Sequence, residues 1–136
     1  MALVVTCSGA YGVGSKGKPD ARAIIAEIAK GLSATKVDSV LLDYTDLIYE
    51  WGDDIGATFY PDDPTDRDRV IPTAVIVGNN CKNAIQSLLE SDLGFDSWLE
   101  SGFIFFSKDA AEKYLSFEIR NTQQGAPEDA PKAARP

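Results

Sequence analysis

Three groups of residues have types and spacings that could do chemistry. The first is the glycine-rich stretch "GVGSKGKP". Gly12-x-Gly14-x-x-Gly17 has the spacing of a dinucleotide fingerprint, and Gly12-x-x-x-x-Gly17-Lys18 is nearly a phosphate-binding loop. Such loops work by aiming backbone N–H groups at phosphate oxygens, with a Ser or Thr hydroxyl after the Lys to hold Mg²⁺. Here Pro19 occupies that position, with neither hydroxyl nor N–H. A dinucleotide loop also comes straight off its strand and starts the helix within the fingerprint. In this chain "SGAY" intervenes, and Pro19 predicts a helix start after Gly17. The stretch therefore reads as a connecting loop or turn. No nucleotide or other cofactor is expected, while an anion site and a protein contact remain open alternatives.

The second group is acidic. Glu50, Asp53 and Asp54 crowd around Trp51 and Gly52. A carboxylate pair, Glu50 with Asp53 or Asp54, could hold a divalent metal or serve an acid–base step. The plainer reading is a solvated turn whose carboxylates cap the next segment through its helix dipole. Tyr49, Trp51, Phe59 and Tyr60 lie near one another in sequence; on one surface they would form an aromatic patch with an acidic rim, which suits a protein interface.

The third group is the cysteines. Cys7 and Cys81 are far apart and lack metal-ligand spacing, so they read as reduced, buried thiols, with a disulfide or a reactive thiol as the alternative. The chain has no histidine, which removes the commonest general base and metal ligand. Nothing outside the acidic turn supplies a nucleophile or base, so binding is favoured over catalysis. The expected site is a protein-binding one, Tyr49, Glu50, Trp51, Gly52, Asp53 and Asp54, with no catalytic, cofactor or metal residues.

The net charge of −8 over 136 residues repels phosphate backbones, and Lys16 with Lys18 is the longest basic cluster. Without a larger basic patch, no nucleic-acid partner is expected; a basic protein surface suits the charge. "ALVV" is too short for the apolar region of a signal peptide, and no apolar run nears the roughly 20 residues of a membrane span. The expected location is the cytoplasm, as a monomer or homodimer.

These residues must be positioned by a small set of elements. "ALVVTCSG" predicts a strand and "PDARAIIAEIAKGL" a helix with Ala21, Ile24, Ile25, Ile28, Ala29 and Leu32 inward. "VDSVLLDY" and "IPTAVIVG" are apolar on both faces, as in covered parallel strands. "TDLIYEWGDD" leaves the sheet as a turn, and "YPDDPTDRDR" is a polar loop. "NNCKNAIQSLLES" predicts a helix capped by Asn79 or Asn80. "SGFIFFS" predicts a strand, and "SKDAAEKYL" a helix capped by Ser107. The result is one α/β domain over residues 1–120, with a mixed or mostly parallel sheet covered by helices in the order β-α-β-β-α-β-α. Residues 121–136 are polar and rich in Pro and Ala, and read as a disordered tail.

"VLLDYTDLIYEWGDDIG" is an apolar strand ending in Asp43, then the hydroxyl of Thr45, the pair Leu47 and Tyr49, and a tight acidic turn. This resembles the STAS domain, in its SpoIIAA-like branch of anti-sigma-factor antagonists. "IPTAVIVGNN" and "GFIFFSKDAAEKYL" resemble that family's third strand and final strand-helix pair. The likeness extends over about residues 2 to 118, on motifs that are mostly apolar strands with acidic ends. It implies a non-catalytic regulatory module that binds another protein. In that family a serine in the turn is phosphorylated; this turn has no Ser or Thr, and Asp53 would supply fixed charge instead. A fainter likeness is to crotonase-like enzymes, whose loop N–H groups stabilise an enolate, but the paired glycine loop and second large segment are missing. An immunity-type protein masking a basic partner is a further reading.

Overall fold

Two apolar runs, in β2 (Ser39–Ile48) and β3 (Thr73–Val77), form the middle of the sheet because every residue from Val40 to Leu42 and from Thr73 to Val77 is buried. The computed structural model describes residues 2–66, 68–91 and 102–123. The described chain runs β1 (Ala2–Ala10), α1 (Gly17–Ala34), β2, a 3-10 helix (Ile55–Phe59), β3, α2 (Lys82–Ser91), β4 (Ile104–Phe105) and α3 (Lys108–Gln123). The four described strands pair parallel, in the spatial order β1-β2-β3-β4. The fold is thus α/β with a four-stranded parallel sheet.

A sheet that adds strands in one direction through right-handed crossovers places all its crossovers on one face. The buried clusters follow that rule. Val40, Leu42, Tyr44, Val75 and Val77 pack with α1 through Ile24 and Ile28, with the 3-10 helix through Phe59, and with α2 through Ile85 and Leu89. The opposite face carries Leu41, Ala74 and Ile76 against Ala111 and Leu115 of α3. Each central strand thus alternates between two cores, which explains why both read as continuously apolar.

A bulge aims the end of β2. Thr6 and Ser8 of β1 pair with Asp43 and Asp46, so β2 spends one extra residue there. Thr45 is tied locally, its N–H and hydroxyl both donating to Asp43 Oδ1. Even-numbered residues face the larger core before the bulge, whereas Leu47 and Tyr49 face it afterwards. Without this slip Leu47 and Tyr49 would point out of the core.

Several expectations need correction. β2 does not end at Tyr44 but continues to Ile48. α1 begins at Gly17, with Pro19 in its first turn, where a missing N–H costs no bond. Ile25 is 40 % exposed rather than inward, because α1 leaves that flank open. α2 starts at Lys82, so Cys81 and not an asparagine precedes it. β4 is two residues long. Ser107 does cap α3, its hydroxyl accepting the Ala110 N–H at 3.2 Å. That helix continues to Gln123, so residues 121–123 are helical; the rest of the expected tail lies outside the described residues.

Candidate functional site

The turn Tyr49–Asp54 leaves the C-terminal end of β2, and loops on both sides hold it. On one side the Tyr49 N–H donates to the Asn80 carbonyl at 3.0 Å. On the other the Gly14 N–H donates to the Trp51 carbonyl (3.3 Å) and the Asp53 N–H to the Gly14 carbonyl (2.9 Å). The Tyr11 hydroxyl donates to the Asp53 carbonyl at 2.6 Å, and the Tyr11 ring stands edge-on to Tyr49 at 5.4 Å. Burial, then the neighbouring Tyr49 and the carboxylates of Asp20, Asp54 and Asp53, push the Tyr11 phenol well above its ordinary range, so it remains a donor at neutral pH. The glycine loop is therefore a clamp for the acidic turn.

Gly14 and Gly52 show why this clamp is built from glycine. Gly14 has φ +60°, and a side chain there would meet the Trp51 indole at 3.0 Å. A Cβ on Gly52 would lie 2.2 Å from the Gly12 carbonyl oxygen. Gly12 N–H donates to Asp20 Oδ2 (2.7 Å), Gly14 N–H to Trp51, Gly17 N–H to the Gly14 carbonyl (3.0 Å), and the Lys16 and Lys18 N–H groups to Val13 and Ser15 carbonyls (both 3.2 Å). Donors that a phosphate would need are used within the chain, and a carboxylate occupies the first turn of α1.

Trp51 touches Gly14 yet is 61 % exposed. Glu50 and Asp54 are exposed and Asp53 is half-buried. No salt bridge among the described residues reaches these three carboxylates. Asp54 precedes the 3-10 helix in the left-handed region (φ 72°), and its side chain makes no capping hydrogen bond. The capping role expected for these carboxylates is thus not seen at Asp54. Two hollows flank the turn. One of about 340 Å³ lies between Tyr49, Glu50 and the Asn79–Ser87 segment; one of about 320 Å³ lies among Tyr49, Trp51, Asp53, Asp54 and Leu88.

The structure gathers Tyr49 to Asp54 into one turn, but not the expected aromatic patch. Tyr49 and Phe59 are buried and Tyr60 is half-buried, leaving Trp51 as the exposed ring of the four. Among the described residues no three His, Cys, Asp or Glu side chains are placed to hold a metal. Both cysteines are free; Cys81 is buried and Cys7 half-buried, and burial pushes both thiols up. A hollow of about 960 Å³ lies apart, between Ile25, Ile28 and Ala29 of α1 and the Tyr60–Pro64 loop. Its buried Asp63 is already bonded to Thr65 and, at 3.0 Å, to Arg69.

No family model matches the chain, and neither does any curated protein or solved structure. The STAS resemblance stands on the residue pattern alone. Among the described residues, no helix is long and apolar enough to cross a membrane. Sequence reasoning missed Tyr11, Gly14 and Asn80 as the frame of the turn. The signal was present in the glycine spacing, which marks close backbone approach as readily as it marks a phosphate.

Proposed function

We propose that this chain is a small, non-catalytic protein-binding module of regulatory, STAS-like type. Its contact surface is the acidic turn Tyr49–Asp54, beyond the carboxyl ends of the parallel strands, where sites gather in open α/β sheets. One observation carries the reading: Trp51 is 61 % exposed on a turn fixed from both sides, beside three carboxylates that form no ion pair among the described residues. An exposed tryptophan on a fixed backbone is the usual anchor of a protein interface, since little ordering remains to be done on binding. The carboxylates would select a basic partner and speed its approach. An immunity-type protein masking such a partner uses the same surface and differs only in what the partner does.

The test is affinity capture from the native host with the wild-type chain, Trp51→Ala and the double variant Asp53→Asn/Asp54→Asn. The reading expects a basic protein retained by the wild type and lost with Trp51→Ala. The double variant should weaken capture most at low salt, because the charge term is screened as salt rises. Capture that is unchanged by both variants places the contact elsewhere. A thermal shift with nucleotides, acyl-CoA and divalent ions separates the enzyme reading, since only a chain that binds one of them is stabilised.

A further inference from the structure

The two edges of the sheet are built differently. Among the described residues, β4 forms one edge with only two residues. β1 forms the other with nine residues, Ala2–Ala10, without a charged residue or a proline. Natural sheets blunt long edges with charge, proline or a bulge, because an open row of N–H and C=O groups pairs with another chain. Here irregularity begins only after Thr6, with the register shift and Gly9 at φ +85°. Ala2 to Thr6 is left regular, and Val4 on the face away from α1 is 46 % exposed. A groove of about 480 Å³ follows this segment, bounded by Leu3–Thr6 and by Glu27, Lys30, Gly31 and Ala34 of α1.

We propose that this edge pairs with the β1 edge of a second copy, antiparallel about a two-fold axis near Val4, giving a continuous eight-stranded sheet. Three features favour a second copy as the occupant. Self-pairing about a two-fold axis requires a self-complementary surface, and an uncharged strand meets itself without repulsion in a chain of net charge −8. The α1 helices of the two copies flank the joined strands and run antiparallel, so Glu27 of each faces Lys30 of the other. Among the described residues, neither side chain forms a salt bridge. Gly31 lets Leu3 seat against α1, where a Cβ would meet it at 2.6 Å, and Ala34 lines the groove with a small side chain. The edge is separate from the Tyr49–Asp54 turn, so dimerisation and partner binding fail independently.

The experiment is sedimentation velocity of the full chain from about 1 to 100 µM, with Val4→Lys, Glu27→Lys and the swap Glu27→Lys/Lys30→Glu. The wild type should sediment at twice the 14.7 kDa chain mass. Val4→Lys should shift the midpoint of association at least tenfold upward while keeping the wild-type circular dichroism spectrum. Glu27→Lys should weaken association, and the swap should restore it. A wild type that stays at the chain mass to 100 µM overturns the proposal, as does a wild type that binds only a foreign extended peptide at this edge. A dimer indifferent to Val4→Lys and to Glu27→Lys also overturns it. If Val4→Lys fails to fold, the Glu27 and Lys30 variants, on the exposed side of α1, decide alone.

Discussion

Gly52→Ala strikes the clamp directly. The new methyl would sit 2.2 Å from the Gly12 carbonyl oxygen and 2.9 Å from the Tyr11 ring. Ordinary carbon–oxygen contact begins near 3.4 Å, so the two loops must part by about 1 Å. That retreat breaks the Gly14–Trp51 and Asp53–Gly14 backbone bonds, now 3.3 and 2.9 Å. Two such bonds contribute about 1 kcal/mol each, and overpacking adds roughly 1–3 kcal/mol. The stiffer unfolded chain returns about 0.5 kcal/mol. The net loss is about 3 kcal/mol, or roughly 12 °C in Tm for a domain of this size. Urea unfolding and calorimetry measure it, with Gly9→Ala as the control. Gly9 has φ +85° but nothing within 4 Å, so its alanine carries only backbone strain of about 1 kcal/mol. A Gly52→Ala protein melting within 2 °C of wild type would refute the clamp.

Trp51→Ala should change stability by under about 1 kcal/mol, because the indole is mostly in solvent; a Tm fall of ten degrees would make it a packing residue. Ile85→Ala, fully buried between α2 and the sheet, should cost about 2–5 kcal/mol in urea unfolding. The Asp63 carboxyl is held below its ordinary 3.8 by the Thr65 N–H and hydroxyl and by Arg69. A lowered folded-state pKa gives stability that is present above 3.8 and lost as pH falls through the lowered value. Asp63→Asn should therefore melt below wild type at pH 7, and the gap should close in that acid window; a constant gap would assign the loss to shape rather than charge. Both thiols titrate above 9.0, so a thiolate-selective reagent at pH 8 should label the native chain far more slowly than the urea-unfolded one.

The sequence made the central strands legible because Val40–Leu42 and Thr73–Val77 are apolar on both faces, and only a sheet covered on both sides uses such runs. The Ser107 cap was legible for a similarly local reason, a hydroxyl residue placed just before a helical run. The end of β2 was not. The bulge at Thr45 reverses which residues face the core, and period-two reasoning has no means to anticipate one extra residue. The aromatic patch failed for a related cause: the 3-10 helix turns Phe59 inward, so nearness in sequence did not become a shared surface. Ile25 was misplaced because helical spacing fixes a stripe but not its width. The acidic turn was legible as a cluster, whereas its clamp depends on contacts some 40 residues apart.

The monotonic strand order has a consequence for how the chain assembles. Each strand of the sheet pairs with the one made just before it, so no strand must wait for a later segment to supply its neighbour. A doubly wound sheet reverses direction partway and leaves its first strand without a second neighbour until the chain has turned back. Here a chain emerging N-terminus first can add strands one at a time, from the β1–β2 pair outward. Helix α3, the last described element, then closes the face that the crossovers leave bare.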